Sequence, residues 1–299
     1  MDPITFSLAV AGIPAIFKSC VDCFQYIHLS KSFGQHFGFC LAELEAVDVE
    51  FTRWGEAMGL LDEPFDPNTL FQEGSWKEED IKKAKKWLAL ILDTFEDAKR
   101  MSDRFKASNE DDEPELVEVP DQKTELEKAQ QPVKKLVFSL RKLTKKRQRV
   151  ESLGRKIQWA LYKKDDFDGL IKEVSGLVEK LVKLFPAFHQ KQVQLCEQEV
   201  KDIEPESIPT LIKVLDGRDE LLNRALAKKT LVNGHKLRGA VITKEGKIVI
   251  GDDFENVFDT LAPGADVSDV KVDDKGSLSI GHKYKISTEV AMAKLKLGQ

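Results

Sequence analysis

The stretches GHKLRGAVITKEGKIVIGDDF (residues 234–254) and GADVSDVKVDDKGSLSIGHKY (residues 264–284) superpose without a gap at a constant offset of 30. Gly234, Gly246, Ile250 and Gly251 recur as Gly264, Gly276, Ile280 and Gly281. Leu237, Ala240, Ile242, Ile248 and Phe254 recur as Val267, Val270, Val272, Leu278 and Tyr284. Residues two apart on a strand share a face, so these recurring positions form the candidate inward core, and Gly246 and Gly276 fall at a common turn. The charges invert: Lys236 matches Asp266, Lys244 matches Asp274, Glu245 matches Lys275 and Asp253 matches Lys283. Stacked rungs about 4.8 Å apart reward opposite signs and penalise like ones. The expected object is a two-rung β-solenoid whose open top and bottom let further copies add. On the residues alone, two β-hairpins, each closed within one repeat, remain the alternative.

The rest of the repeat region sets its expected state. It holds few large apolar groups, so residues 228–299 are expected to be disordered in the monomer and ordered only when copies stack. Before Asn233 the period changes from two to that of a helix. Leu41, Leu44, Val47, Phe51, Trp54 and Met58 predict one amphipathic helix. Pro64, Pro67 and Gly74 mark a loop, and Ser75 with Glu78 reads as a capping box opening a helix that runs through Met101. Residues 109–121 read as an exposed acidic loop. Phe167 to Phe185 forms a wide apolar stripe closed by Pro186, with further helices over 187–201 and 206–227. Residues 1–227 thus read as one all-helical domain and 228–299 as a separate repeat region.

Two segments of the helical part stand out. From Pro3 to Phe17 there is no charge, and Ile4, Phe6, Leu8, Ala9, Val10, Ile13, Ile16 and Phe17 supply an apolar surface. This run is shorter than the roughly 20 residues of a spanning helix, and continuation to Leu29 would include Lys18, Asp22 and His28. The segment is expected to be buried in protein and transferable to lipid. Lys134 to Arg149 holds eight basic residues and no acidic one. This is either a solvated helix face or a contact for acidic headgroups or nucleic acid.

Composition bounds the function classes. The chain has 299 residues, 41% hydrophobic and 32% charged, which excludes a collagenous or wholly disordered protein. Forty-six Lys plus Arg against 51 Asp plus Glu gives a net charge of −5, so no global field draws it to nucleic acid, and none is expected as a partner. Four cysteines fit a reducing, cytoplasmic setting, and the start Met1-Asp2-Pro3 lacks a basic leader. Cys20-x-x-Cys23 with His28, His36 and Cys40 offers metal-ligand atom types, but no second clustered pair, so buried reduced thiols are expected and no metal or cofactor. No nucleophile elbow, phosphate loop or paired-histidine motif occurs, and a non-enzymatic protein is expected.

The chain resembles the fungal HET-s/HET-S heterokaryon-incompatibility family. The helical part is similar to its HeLo domain in Cys20-Val21-Asp22-Cys23-Phe24, Tyr26, Phe33-Gly34, Arg53-Trp54-Gly55-Glu56-Ala57, Trp159-Ala160-Leu161-Tyr162 and Phe185-Pro186. Ile248-Val249-Ile250-Gly251 and Leu278-Ser279-Ile280-Gly281 resemble its prion-forming repeats. The resemblance implies a cell-death effector. Its repeats convert to amyloid on a like motif, carried by another copy or by a nucleotide-binding receptor. Conversion refolds the HeLo domain and sends the N-terminal segment from the cytoplasm into membrane lipid. In a non-toxic type the prion propagates without membrane attack. A HeLo dimer is a further implied partner state. His235 and Ala265 replace the asparagines that often open the family's repeats, which implies a narrow cross-templating range. A helical adaptor carrying a β-hairpin docking module is the competing function.

Overall fold

The structure, a computed structural model, describes residues 10–62, 64–67, 77–147 and 158–232 and eight strand segments between 235 and 285. The chain divides into two units, Met1–Ala225 and Leu226–Gln299. Both that division and the boundary expected at 227/228 fall inside one helix, Glu220–Val232.

The first unit is organised around helix α2 (Phe37–Ala57). Around it pack α1 (Ile13–Tyr26), α5 (Gln131–Arg147), α6 (Lys164–Leu184), α7 (His189–Asp202) and α8 (Ile208–Leu215). The sequence predicts a one-faced amphipathic helix here. Instead α2 is buried nearly all round: besides Leu41, Leu44, Phe51 and Trp54, it hides Asp48, Glu50, Thr52 and Arg53. Five surrounding helices leave it no solvent face, so its polar residues require partners inside the protein. Helix α3 (Glu78–Asn109) packs on α1 and α6 through Ile81, Leu88, Ile91 and Phe95. It begins without a side-chain cap at Lys77, with Glu78, Glu79 and Asp80 placed to complement its N-terminal dipole. Ser75 of the expected capping box lies outside the described residues. The helix carries Met101 and ends at Asn109, where the acidic loop was expected to begin; that stretch holds a turn, Pro114–Val117, and is followed by the short α4 (Gln122–Glu127).

Two departures from the all-helical reading matter. Strands β1 (Ile27–Leu29) and β2 (Trp159–Leu161) pair in parallel, Ile27 opposite Trp159 and Leu29 opposite Leu161, all four buried. Three residues of a helix-like apolar pattern gave no sign of a partner 132 positions away. The single helix expected over 206–227 is broken into α8 and α9 (Glu220–Val232) at Asp216-Gly217-Arg218-Asp219. Asp216, Gly217 and Asp219 all take positive φ, at 45°, 78° and 51°. An Asp-Gly pair supplies that left-handed conformation cheaply, and it ends a helix here as it opens a turn.

In the second unit β3 (His235–Arg238), β4 (Val241–Ile242), β5 (Lys247–Ile250) and β6 (Asp253–Glu255) belong to the first repeat. They pair in parallel with β7 (Ala265–Ser268), β8 (Lys271–Val272), β9 (Ser277–Ile280) and β10 (Lys283–Lys285) of the second. Every register among the described strands of the two repeats differs by 30 positions, as in Leu237 opposite Val267 and Ile250 opposite Ile280. Among the described strands no pair joins two strands of one repeat, which overturns the hairpin alternative. One chain carries both halves of every ladder, so this pairing needs only closure of the stretch between the repeats.

Close packing of α1 on α2 makes a prediction. Gly55 has no side chain because a Cβ there would overlap the Phe17 ring, which sits 4.8 Å from the Phe51 ring and 5.9 Å from Trp54. Gly55→Ala is expected to cost about 1–3 kcal/mol, the usual range for overpacking. A second change, Phe17→Leu, is expected to return part of that loss, measured by urea denaturation of single and double variants.

Candidate functional site

Arg53 lies at the centre of the first unit with 0% exposure. Its Nη1 donates to Glu199 Oε2 of α7 at 2.7 Å and to Cys196 Sγ at 2.7 Å, and its Nη2 donates to Asp219 Oδ2 at 2.5 Å. Asp219 also caps α9, its Oδ1 accepting from the Leu222 backbone N at 3.1 Å. The second oxygen of Glu199 accepts from Arg147 Nη2, and Arg147 further donates to Glu56 Oε2 at 2.7 Å and to the Val49 carbonyl at 3.1 Å. One cluster therefore fastens α2, α5, α7 and the start of α9. The last of these elements continues to Val232, only three positions before β3 begins at His235.

Other acids of α2 are less well served. Burial pushes the Asp48 carboxyl well above the usual range, with the Glu45 charge adding to it, and Arg147 offsets this in part. Asp48 Oδ1 has no hydrogen-bond partner. Burial likewise raises Glu50 well above its ordinary value, helped by Asp219, against the pull of Arg53. Burial raises Glu199 despite its two arginines.

The N-terminal residues expected to enter lipid divide in two. Ile4, Phe6, Leu8 and Ala9 lie outside the described residues. Val10, Ile13 and Phe17 are buried and Ile16 half-buried, in or just before α1, under α2 and α3. α1 opens after Gly12 at φ 86°, and it ends at Tyr26 where β1 starts. Among the described residues no helix is long and apolar enough to cross a membrane.

The basic run on α5 separates into inward and outward charges. Arg147 is buried in the cluster, Arg141 Nε donates to Glu45 Oε1 at 2.6 Å, and Lys134 and Lys135 pair with Glu127 and with Glu204 and Glu206. Lys142 and Lys145 are exposed, as is Lys146, whose Nζ lies 3.6 Å from Asp202. Half of the run thus serves the fold, and residues 148 and 149 lie outside the described residues. Cys20, Cys40 and Cys196 are buried free thiols; burial pushes Cys40 up to about 12 and raises Cys20 and Cys196 as well. Thiols held protonated are weak nucleophiles and weak metal ligands. Among the described residues no group of three or more His, Cys, Asp or Glu is placed to hold a metal ion.

In the repeats, the parallel register sets Lys236 opposite Asp266 and Asp253 opposite Lys283. Lys244, Asp274, Glu245 and Lys275 lie outside the described residues. Of the expected core, Leu237, Ile242, Ile248, Ile250 and Phe254 face Val267, Val272, Leu278, Ile280 and Tyr284 across the ladders. Ala240, Gly246, Gly251, Val270, Gly276 and Gly281 lie outside the described residues. Sequence reasoning does not reveal the buried cluster of Arg53, Arg147, Glu199 and Asp219. Arg53 sits in an apolar helical pattern, and a cation there among Val49, Phe51, Trp54 and Ala57 was the available signal.

A helical bundle with this N-terminal helix, followed by a paired repeat, defines a class: the chain belongs to the HeLo family, described as prion-inhibition and propagation, which matches residues 6–213. It is similar to heterokaryon incompatibility protein S of Podospora anserina, with 28% identity over 255 residues, covering 84% of this chain and 83% of that protein. That share exceeds the first unit, so the similarity runs into the repeats. The heterokaryon incompatibility protein s of the same fungus is 28% identical over 230 residues, 76% of this chain and 75% of the relative. Among solved structures, the HET-S N-terminal domain superposes with a TM-score of 0.62 at 27% identity, covering 77% of this chain and 98% of that one. A double mutant of the HET-s N-terminal domain gives 0.62 at 28% identity, covering 73% and 98%.

The cluster and its neighbours make a prediction. Removing one partner from a buried ion pair leaves the other uncompensated, so Arg53→Met is expected to destabilise the protein by about 3–5 kcal/mol. A carboxyl whose folded pKa lies above its unfolded value holds a proton that the unfolded chain has released. Stability therefore falls as pH rises from about 4, the unfolded value, through the raised folded one. Asp48→Asn is expected to raise stability at pH 7 and to flatten this slope, measured by urea denaturation across the range from pH 4 to pH 8.

Proposed function

We propose that this protein is a prion-controlled cell-death effector of heterokaryon incompatibility, in which templated assembly of residues 228–299 unfolds part of the helical domain and releases its N-terminal segment into membrane. The observation that carries this reading is the parallel register at a constant offset of 30, with opposite charges at the paired positions Lys236–Asp266 and Asp253–Lys283. Each described strand of the repeats pairs on one side only, so each rung keeps a free edge. A second copy stacked head to tail brings its Lys236 onto Asp266 of the first and its Asp253 onto Lys283. The same signs then meet at every step, and a head-to-tail contact that does not close on itself extends into a filament. Leu237, Ile242, Ile248, Ile250 and Phe254 with their paired counterparts form the inward face of each rung.

Assembly acts on the helical unit through spacing. Two rungs advance a filament by roughly 10 Å per copy. A folded unit of some 225 residues has a radius of gyration of roughly 17 Å. Successive folded units tethered by the few residues after Val232 crowd one another, and the strain falls on α9. Withdrawal of α9 takes Asp219 from Arg53 and leaves a buried cation short of one partner. Arg53 adjoins Phe51 and Trp54, the rings that cover Phe17, so α1 loses its support. The released apolar run, Ile4 to Phe17, then partitions into lipid. Its extension toward Leu29 brings Lys18, Asp22 and His28 to an interface or a lumen. The template is another copy or a like repeat on a nucleotide-binding receptor, and the protein moves from the cytoplasm to the membrane on activation.

Seeding with preformed fibrils of residues 228–299 tests this reading. The full chain is expected to gain thioflavin fluorescence and then release dye from acidic liposomes. Lys244→Glu is expected to slow fibril growth at low salt by placing two acids against each other at position 274, and Asp274→Lys added to it is expected to restore growth. Leu8→Asp is expected to leave fibril growth intact and abolish dye release. Equal growth by all charge variants at low and high salt overturns the stacked register; leakage unchanged by Leu8→Asp overturns insertion. Fibrils without leakage by the parent would leave prion propagation as the function.

A further inference from the structure

A cavity of about 700 Å³ lies between α2, α6 and the turn that joins α8 to α9. Pockets for small organic ligands range over roughly 300–1,000 Å³. Its charged lining is unequal in sign. Six carboxylates, Glu43, Glu50, Asp168, Glu179, Asp216 and Asp219, stand against three cations, Lys164, Lys172 and Arg218, and one histidine, His36. Two of those cations are already held: Lys164 Nζ lies 2.5 Å from Asp168 Oδ2, and Arg218 Nη2 donates to Glu43 Oε1 at 2.8 Å. Asp219 is taken by Arg53, and Glu179 pairs with Lys183 at the surface. Glu50 and Asp216 remain, against Lys172 alone. Glu50 is the decisive member. It is 4% exposed and lines the cavity, yet its carboxylate accepts no hydrogen bond and joins no ion pair among the described residues. A buried polar group without a partner is costly, so a ligand that supplies the donor gains by it. Burial and the charge of Asp219 push the Glu50 carboxyl up against the pull of Arg53, with Glu179 and Glu199 adding to the rise. A cation beside Glu50 offsets the repulsion from all three carboxylates.

The carboxylates are spread lengthwise. Glu43 and Glu50 lie on one face of α2, two turns and about 10 Å apart. The contact of Arg218 with Glu43 brings the turn that carries Asp216 to the Glu43 end. Ile171 of α6 supplies an apolar wall, and a Cβ added at Gly176, also on α6, would meet no atom within 4 Å. We propose that this cavity binds an aliphatic polyamine of the spermidine class, one ammonium against Glu50, a second toward Asp216 at the Glu43 end, and the methylenes between them against Ile171. A bare metal ion cannot reach carboxylates two turns apart, and among the described residues no group of three or more His, Cys, Asp or Glu is placed to hold one. An anion would meet the excess of carboxylates. A neutral donor would satisfy Glu50 and gain nothing from the rest of the lining. A slender chain with separated positive charges matches both the sign and the spacing. The site is built wholly within the first unit and does not depend on assembly of the repeats.

The test is calorimetric titration of the full chain with spermidine, with butylamine as the single-ammonium comparison and magnesium chloride as the inorganic one. Saturable binding of one spermidine per chain is expected, with butylamine and magnesium far weaker. Glu50→Gln removes one charge-assisted hydrogen bond and is expected to weaken binding about tenfold. Gly176→Leu fills the open space and is expected to weaken binding at least as much, while a better helix former at that position keeps α6 intact. Glu96→Gln removes the same charge from the exposed side of α3 and is expected to bind as the parent does. Melting curves confirm that each variant is folded. The proposal is overturned by absence of saturable binding, by butylamine or magnesium binding as tightly as spermidine, or by binding unchanged in both cavity variants. An equal loss in Glu96→Gln would mean attraction of counterions to an acidic surface only, and would equally overturn it.

Discussion

Burying the guanidinium of Arg53 is the constraint from which the helical unit is built. A cation removed from water must be met by carboxylates inside the protein; Glu50 of α2 adds an attraction, but the carboxylates hydrogen-bonded to Arg53 come from other elements. Glu199 comes from α7 and Asp219 from the turn between α8 and α9. Glu199 is shared with Arg147 of α5, so four elements distant in sequence are fixed by one set of charge-assisted hydrogen bonds. Surface pairs such as Lys82–Glu78 or Lys183–Glu179 are screened and contribute little by comparison. The broken helix at Asp216–Asp219 follows from the same demand. A continuous helix through this stretch would lack the left-handed turn, and Asp219 could not both cap α9 and meet Arg53.

What was legible in the sequence depended on whether the information was local. The repeat showed itself because its two halves can be compared position by position, and the offset of 30 is the register of every described ladder. Helices α3 and α6 were legible from their apolar stripes, since a helix with one buried face writes its period into the chain. Helix α2 gave a misleading stripe because the pattern cannot tell a polar residue on the surface from one buried with a partner. The β1–β2 pair joins residues 132 positions apart in the helical unit, and nothing at Ile27–Leu29 refers to Trp159–Leu161. The cationic run on α5 looked like one surface, yet Arg141 and Arg147 turn inward to Glu45, Glu56 and Glu199. Only the carboxylates facing a basic side chain decide which way it points, and those lie elsewhere in the chain.

The two units use charge for opposite ends. In the helical unit opposite charges are buried and serve one arrangement. In the repeats they are placed at paired positions, and their sign alternates from the first repeat to the second. A shift of one residue along a strand would exchange inward and outward faces, and a pairing of like repeats would set Lys236 against Lys236. Alternation therefore disfavours both errors while leaving head-to-tail addition open. The charges thus penalise the wrong registers without opposing the proposed head-to-tail growth.

Such a division sets how the proposed release of α1 can be both prevented and triggered. Single domains are held by about 5–15 kcal/mol. One buried charge deprived of its partner costs about 3–5 kcal/mol, a large part of that total. The helical unit also carries orphaned polar atoms at Asp48, the Arg53 Nε and the Trp54 indole N–H, all on α2, and the Trp54 ring packs 5.9 Å from Phe17. Helix α2 is thus held by its surroundings more than by its own hydrogen bonding. Loss of the Asp219 contact removes support from the element that most needs it, and Phe51 and Trp54 transmit the loss to α1. A bridge at the surface would be too weak to act in this way, and an apolar contact at position 53 would leave no penalty when α9 departs.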